Sequence, residues 1–404
     1  MKILYHHRTA SRDGQAVHID ELISALRSLG HEVTVVGPRF EVSGGFGGES
    51  KTVRGLKNRL PKAVFQVLEL AYSIVAFAAL YRACRRQRPD VLYERYNLHL
   101  LAGAWLSRWR NLRYILEVNA PLYEERAREG GIGLHGLGRW CERTSWRSAD
   151  VVLPVSGVLA GYVEAAGVSR SRIVVMPNGI DHHFLRPADG AAVRARYSLG
   201  NALVLGFVGF IRDWHGLHKV VEGLGDPSLP PVHLLVVGDG PGRDALQQQA
   251  EHLGVEKRLT ITGVVDRDRI AAMIAAFDIA LQPSATRYAS PLKLFEYMAA
   301  GRAILAPRQP NIEEVLTHER SALLFDPADD ANFRGALARL CRDQDLRRLL
   351  GEGARAEIVS RGLTWIDNAR RVAELFEKDA SADKTARCWR DASSGRRSGR
   401  LTST

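Results

Sequence analysis

Short apolar runs alternate with amphipathic stretches along most of the chain. The first run, Lys2–His6, precedes a stretch whose apolar residues recur with the period of a helix and which ends at Gly30. A second run follows at Val33–Val36. This order predicts a βαβ unit, which is the building block of parallel sheets.

Two series of such runs are present, and each predicts one sheet. The first series continues with Val91–Tyr93, Tyr114–Val118, Val151–Val155 and Ile173–Met176. The second series consists of Leu203–Val208, Leu234–Val237, Leu259–Thr262, Ile279–Gln282, Ile304–Ala306 and Ala322–Phe325. A linker-like stretch with proline and glycine lies between them, within 180–202. The sequence therefore predicts two α/β domains in tandem.

Composition supports a globular protein and makes charge the next question. With 46% hydrophobic and 25% charged residues, the chain is neither disordered throughout nor a coiled coil. Its net charge of +11 indicates an anionic partner: nucleic acid, a phosphorylated small molecule or a membrane surface. Residues 380–404 are basic and almost free of large apolar residues, which predicts a disordered basic tail. The four cysteines have neither metal-site nor disulfide spacing, so we expect a reducing compartment.

The segment 51–88 is open to three interpretations. Residues 51–62 are basic without any acid, and the apolar stretch that follows approaches the length of a membrane span. Gln66, Glu69 and Ser73 interrupt it. The segment is a long helix with most faces buried, a basic apolar helix lying on an anionic membrane surface, or a transmembrane span.

The segment 290–296 predicts a helix whose first turn faces a ligand. Ser290 is a good N-cap, and Pro291 suits the first helical position. Free backbone N–H groups at such an end favour an anion. Lys293 in the first turn opposes the helix dipole, which is understandable if an anion binds there. Glu296 shares a face with Lys293, so the pair would hold a phosphate and sugar hydroxyls, or be a plain surface ion pair.

Loops after several predicted strands contain glycine, as at Gly14, Gly209 and Gly263. Ligands of open parallel sheets bind at such positions, and glycine lets a backbone approach them closely. None of these loops is a dinucleotide fingerprint or a P-loop. Arg212 and His215 follow the first strand of the second series and are candidate phosphate ligands, the alternative being a surface loop with a packed tryptophan.

Four segments together resemble glycosyltransferase family 4, the glycosyl transferases group 1. In order they are PNGID at 177–181, VGDGP at 237–241, residues 278–284, and KLFEYMAAG at 293–301. The resemblance covers about residues 1–378. It implies retaining enzymes of the GT-B fold, in which two Rossmann-like domains face each other and a C-terminal helix crosses back to the first.

That resemblance implies domain limits and residue roles. The acceptor domain would be 1–184 with the crossover helix 362–379, and the donor domain 185–361. Lys293 would hold the donor diphosphate and Glu296 the ribose, while Gly14 approaches the diphosphate or the acceptor. The implied donor-binding set is completed by Arg212, His215, Gly263, Val265, Ser290, Pro291, Leu292 and Leu294.

The chain departs from the family pattern at three places. The first glutamate of the Glu-x7-Glu pattern falls at Tyr288, and the usual Arg and Lys after Gly209 fall at Phe210 and His215. The histidine that the family often has near the reacting sugar is represented by Asn119 or by His18. Either of these, with Lys293, is a candidate catalytic residue.

The function implied by the resemblance is transfer of a sugar from a nucleotide diphosphate sugar, with retention of configuration. No metal or other cofactor is implied. The acceptor would be a sugar or a lipid-linked molecule in polysaccharide or glycolipid assembly, and the enzyme cytoplasmic, peripheral on the inner face of the cell membrane. Another GT-B enzyme, such as a nucleotide-sugar 2-epimerase, or a non-catalytic sugar-nucleotide binding protein are the alternatives. Nucleic acid is disfavoured as a partner because no known recognition module is present.

Overall fold

The structure is a computed structural model that describes residues 1–10, 14–38, 55, 59–227 and 229–376. The predicted basic tail at 380–404 lies outside these residues, as do 51–54 and 56–58 of the predicted basic segment.

The two predicted sheets are present, and both are parallel. The first has the strands β1 (Lys2–His6), β2 (Glu32–Val36), β3 (Val91–Arg95), β4 (Arg113–Val118) and β5 (Val151–Pro154), in the spatial order β2-β1-β3-β4-β5. The second has β6 (Leu203–Val208), β7 (Val232–Val237), β8 (Leu259–Ile261), β9 (Ile279–Leu281), β10 (Ala303–Pro307) and β11 (Leu323–Phe325), in the order β11-β10-β9-β6-β7-β8. The strand order reverses direction at β1 and at β6, where doubly wound sheets open their ligand crevice.

Helices cover the faces of each sheet. Those of the first domain are α1 (Gly14–Ser28), α2 (Lys62–Gln87), α3 (Ala102–Arg110), α4 (Leu122–Arg128), α5 (His135–Ser148) and α6 (Gly157–Ala165). Those that follow are α7 (Ala191–Arg196), α8 (Leu217–Leu224), α9 (Arg243–His252), α10 (Ile270–Ala275), α11 (Leu292–Ala299), α12 (Pro310–Glu313), α13 (Asp330–Arg342), α14 (Gln344–Ser360) and α15, described over 365–376. The domain limits at 184 and 361 stay predictions.

The last helix returns to the first domain, as expected. Along α15, the side chains of Trp365, Ala369, Val372 and Phe376 are buried in the same apolar cluster as Tyr5 of β1. The crossover therefore completes the core on one face of the first sheet.

One predicted strand is wrong. Ile173 makes only an isolated bridge with Val152, and two further backbone hydrogen bonds follow the edge of β5. The chain then leaves this edge for the second domain, where Asn178 bonds with Ser290. Residues 173–176 are thus an extended crossing rather than a strand.

The first half of helix α2 buries polar side chains, whereas its second half buries Ala76, Leu80 and Cys84. Gln66, Glu69 and Ser73 are buried, while the apolar side chains on the outside are exposed: Val64, Val67, Leu68, Tyr72, Ile74 and Val75. The interpretation of this segment as a helix with most faces buried is therefore wrong. By length and composition alone α2 could cross a membrane, but its three buried polar side chains bond to other parts of the first domain.

Candidate functional site

The first turns of α1 and α11 meet between the two domains. Gly14, expected in a loop, is the first residue of α1, and a Cβ built on it would lie 3.4 Å from Cδ1 of Leu292, which begins α11. Leu292 also packs against the first domain's core. Because the first N–H groups of a helix lack intrahelical partners, two sets of backbone donors converge on this cleft.

The start of α11 differs from the expected cap. Pro291 occupies the N-cap position, and Ser290 does not cap the helix. The Oγ of Ser290 instead accepts the backbone N–H of Asn178 at 3.1 Å, and its carbonyl accepts Nδ2 of Asn178 at 2.5 Å. The predicted cap was wrong because Ser290 bonds to the 177–181 loop instead of to the first N–H groups of α11. No side chain in the described part of the chain caps the orphan N–H groups of α11.

Lys293 lies in the first turn of α11, as predicted. Its Nζ is 3.6 Å from the centroid of the Phe207 ring, is buried, and has no hydrogen-bond partner among the described residues. Burial lowers the pKa of this lysine to about 7. An ammonium held without a partner beside free backbone donors suits an anionic ligand. Gly209, with φ of +136°, leaves room for it, since a Cβ there would lie 3.1 Å from Nζ.

Glu296 does not pair with Lys293 but accepts a hydrogen bond from Arg267. Arg267 also lies over the ring of Phe184, at 4.5 Å, and its Nη2 is 3.8 Å from Oε1 of Glu21 on α1. Arg267 therefore links both domains to the residue expected to hold the ribose. Arg267 was not predicted as a site residue, and the only hint in the sequence is its place just after the loop at Gly263.

Two acidic residues, Glu21 and Asp181, lie close together near Arg267 on this side of the cleft. Burial and the neighbouring charge of Asp181 raise the pKa of Glu21 to about 7, against the attraction of Arg267. Asp181 belongs to the 177–181 loop, so that loop reaches the same cleft as α1 and α11.

Both candidates for the family's histidine converge on one buried carboxylate. His18 Nε2 lies 3.0 Å from Oε2 of Glu117, and Asn119 Nδ2 donates to Oε1 at 2.5 Å. Arg95, the register partner of Glu117 in β3, donates to the same oxygen at 2.5 Å. Burial would raise the pKa of Glu117, but His18 and Arg95 hold it far below its usual range. Glu117 was not predicted as a candidate site residue. The rings of His18 and Trp365 pack in a T-shaped arrangement, with their centroids 4.7 Å apart.

The predicted phosphate ligands after β6 are placed differently from each other. Arg212 is exposed, with its guanidinium over Phe210 at 5.0 Å. His215 is buried, and burial together with the charges of Lys293 and Arg212 lowers its pKa. The neutral imidazole brings no positive charge for a phosphate, whereas Arg212 does.

The loop after β8 forms a further wall of the cleft. Gly263, with φ of +73°, makes an isolated bridge with Gly238, and Val265 packs partly against the second domain's core. The assignment of this loop to the wall that holds a nucleobase stays a prediction.

Tyr288, at the position of the missing first glutamate, is inserted into the first domain. It is buried in that domain's core cluster, and its hydroxyl donates to Glu125 of α4. Ser156 donates to the Tyr288 carbonyl at 2.8 Å, and Oε2 of Glu314 accepts the Gly157 N–H at 2.7 Å. The substitution thus replaces a carboxylate with an interdomain contact.

Among the described residues, no cluster of three or more His, Cys, Asp or Glu side chains could hold a metal.

Sequence comparison finds relatives in both halves. Residues 194–357 match the family model described as Glycosyl transferases group 1, and residues 13–179 match that of the Glycosyl transferase 4-like domain. A D-inositol 3-phosphate glycosyltransferase of Corynebacterium jeikeium is 25% identical over 385 residues, covering 90% of this chain and 88% of that protein. A GDP-mannose-dependent alpha-(1-6)-phosphatidylinositol monomannoside mannosyltransferase of Mycobacterium tuberculosis is 27% identical over 245 residues, covering 58% and 63%.

Structural comparison agrees with this. The crystal structure of Anabaena Alr3699/HepE in complex with UDP and glucose has a TM-score of 0.73 at 19% identity, covering 94% of this chain and all of that one. WaaG, a glycosyltransferase involved in lipopolysaccharide biosynthesis, has a TM-score of 0.68 at 16% identity, covering 93% and 99%. These likenesses confirm the GT-B fold. Since the sequence models match in both domains as well, the chain belongs to the group 1 glycosyltransferases and is a glycosyltransferase enzyme.

Proposed function

We propose that this enzyme is a retaining transferase that moves a sugar from a nucleotide diphosphate sugar to a sugar or lipid-linked acceptor at the membrane surface. The observation that carries the donor part is the buried Nζ of Lys293, which has no hydrogen-bond partner among the described residues and belongs to the first turn of α11, beside the start of α1. Relatives named as using GDP-mannose, and a similar fold in complex with UDP and glucose, support a nucleotide sugar.

The site residues have distinct tasks in this proposal. When the bond between the sugar and the diphosphate breaks, negative charge grows on the departing oxygen. Lys293 and the backbone N–H groups of both helices stabilise it, since donors fixed in advance at developing charge stabilise a transition state best. The acceptor oxygen bonds to the sugar on the same face, and its proton passes to the departing phosphate oxygen. Glu296 holds the ribose, while His18 and Asn119 contact the sugar. No metal or other cofactor takes part.

The donor site is tested by nucleoside diphosphate release from a panel of nucleotide sugars. Lys293→Ala and Glu296→Ala are each expected to lose most of the release, about a hundredfold for the lysine. Lys219→Ala is the matched control, because its ammonium pairs with exposed Asp330 at 2.6 Å. Turnover like the wild type in both variants means the site is elsewhere. NMR of the product's anomeric configuration tests retention.

The inverted helix α2 supports the membrane part. An apolar face turned to solvent is costly in water and favourable in a bilayer interface. Beside it, Phe77 and Tyr81 stack with exposed Trp109 of α3, at ring-centroid distances of 5.4 and 5.3 Å. Aromatic rings of this kind favour the membrane–water boundary. We place the enzyme on the inner face of the cell membrane, in polysaccharide or glycolipid assembly.

Flotation with vesicles tests this surface. We expect the protein to float with anionic vesicles more than with neutral ones, and the variant Ile74→Ser/Val75→Ser to lose most of that binding. These two side chains are 65% and 63% exposed, so the fold should tolerate the change. Val359→Ser is the control, because Val359 is 69% exposed on α14 of the other domain. Equal flotation of the wild type on both lipids, or of the double variant and the wild type, contradicts the proposal.

A further inference from the structure

We infer that Arg8 and Arg126 form a binding site for a phosphate group of the acceptor. The inference rests on the proposed transferase function and narrows its acceptor to a phosphorylated one. The two arginines and the carboxylate of Glu69 between them are called the arginine pair site below.

The arginine pair site lies at the carboxyl edge of the first sheet. Arg8 follows β1 by two residues and Arg126 is on α4, the helix after β4. Arg8 Nη1 also lies 3.5 Å from Oδ1 of Asn97, which follows β3. Glu125, next to Arg126, contacts Tyr288 of the second domain. Since this edge is where parallel sheets bind ligands, the site opens on the interdomain cleft, on the acceptor side.

Glu69 of α2 fixes the two arginines in place. Its Oε2 lies 2.7 Å from Nη1 of Arg126 and 3.0 Å from Nδ1 of His99, and its Oε1 lies 3.5 Å from Nη1 of Arg8. Burial would raise the pKa of Glu69, but the hydrogen bond from His99 and the charges of Arg126 and Arg8 lower it strongly. The carboxylate therefore stays ionised, and the guanidinium groups are held before any ligand arrives.

Charge and donors remain for a ligand. Two guanidinium groups face one carboxylate, so the three charges sum to an excess of one positive charge. Each guanidinium has five N–H donors, and the contacts of Arg8 and Arg126 with described residues use only Nη1. Their side chains are 23% and 30% exposed. Planar forks of this kind match the oxygens of a phosphate, which a neutral sugar does not offer.

Helix α2 connects this site to the proposed membrane surface. Glu69 belongs to its buried polar side, and Arg8 lies over the ring of Tyr72, at 5.1 Å, on the same helix. Tyr72 is itself partly exposed on the apolar side. The arginine pair site and the proposed membrane surface therefore lie on two sides of the same helix, so the phosphate of a lipid in the bilayer would be only one helix away from the site. A soluble sugar phosphate has the same chemistry and would enter from the cleft.

Binding of glycerol 3-phosphate to the full chain tests the site directly. The donor site is first filled with a saturating concentration of the nucleoside diphosphate that is released in the nucleotide-sugar assay above, and calorimetry is then done. We expect saturable binding to the wild type, and a loss of about tenfold or more in Arg8→Ala and in Arg126→Ala. Arg128→Ala is the matched control on α4, since Arg128 pairs with half-exposed Glu124 at 3.2 Å. No saturable binding to the wild type, or equal binding to all variants, overturns the inference.

Vesicles separate the two sources of the phosphate. Phosphatidylcholine vesicles with and without dodecyl phosphate are compared by flotation. If the acceptor is lipid-linked, Arg8→Ala and Arg126→Ala lose the extra binding that dodecyl phosphate gives. If it is a soluble sugar phosphate, vesicle binding is unchanged while glycerol 3-phosphate binding is lost. Both results support the site, whereas equal losses in Arg128→Ala contradict it.

Two further measurements separate this inference from folding defects and from the donor proposal. Arg8→Lys and Arg126→Lys keep a cation beside Glu69 but lose the planar fork, so we expect an intermediate loss with unchanged thermal unfolding. Nucleoside diphosphate binding should stay within about twofold of the wild type in all arginine variants. If Arg8→Ala and Arg126→Ala still bind glycerol 3-phosphate like the wild type while Lys293→Ala is inactive, only the acceptor site is refuted. A fully active Lys293→Ala refutes the donor proposal.

Discussion

Helices α2 and α11 solve the same packing problem in opposite ways. α11 buries Leu294, Phe295 and Met298 against the second domain's core and presents Lys293 to the cleft. α2 buries Glu69 and its polar neighbours and exposes its apolar side. In α11 the core holds the helix, and the proposed ligand site lies at its first turn. In α2 a hydrogen-bond network holds the first half and the core packing of Ala76, Leu80 and Cys84 holds the second, and most of the outer apolar side is left exposed.

The largest effect that separates the two helices should come from Glu69→Ala. Removing this carboxylate leaves two partly buried guanidinium groups without their shared partner, and we expect a loss of about 3–5 kcal/mol in the free energy of unfolding. Chemical denaturation measures it. Glu124→Ala is the control, because its exposed ion pair with Arg128 should contribute less than about 1 kcal/mol. A loss below about 1 kcal/mol for Glu69→Ala means that the network does not hold α2.

The next effect, of similar or smaller size and of opposite pattern, is expected from apolar substitutions. Leu294→Ala in α11 creates a cavity in a filled core and should lower the free energy of unfolding by about 2–5 kcal/mol. Ile74→Ala in α2 removes an exposed side chain and should change it by about 0.5 kcal/mol or less. Denaturation of the two variants without lipid measures the difference. Similar losses in both would show that the outer side of α2 is covered in the free protein.

The smallest effect is a pH dependence at Lys293. The pKa of about 7 means that the amine is charged below pH 7 and loses its proton above it. A diphosphate favours the charged form, so binding above pH 7 must take up a proton. We expect the affinity for a nucleoside diphosphate to fall by up to about tenfold per pH unit there. Calorimetry of Lys293→Met is the reference, since the nucleotide itself titrates in both proteins. The same slope in both proteins would contradict a depressed pKa.

Much of the fold was predictable because buried parallel strands are continuous apolar runs. The sequence locates eleven of the strands to within a few residues, and Gly30 and Gly301 both follow helix ends with φ of +82° and +62°. Residues 173–176 have the same composition, but whether an apolar run joins a ladder depends on where the chain goes next. A tertiary contact, the bond between Asn178 and Ser290, decides that.

The site was predictable only where a local pattern carries it. The place of Lys293 in the first turn of α11 follows from the local pattern of Ser290 and Pro291 just before it, whereas the contact of Arg267 with Glu296 joins residues far apart in the chain. The inverted side of α2 had a signal that was misread. Gln66, Glu69 and Ser73 interrupt the apolar run, yet their spacing is that of a stripe along one side of a helix. Periodicity identifies the stripe, and only the surrounding fold shows which side is buried.

The interdomain contacts around Tyr288 constrain how this enzyme can be recombined with relatives. A chimera that took its first domain from another GT-B protein would keep Tyr288 and Glu314 but lose the core cavity, the Glu125 carboxylate and the Gly157 N–H that receive them. In such a chimera the Tyr288 side chain would have neither the apolar cluster that buries it nor the carboxylate that accepts its hydrogen bond. A second domain exchanged into or out of this chain therefore has to be moved together with the first-domain residues that contact it, Glu125 and Gly157.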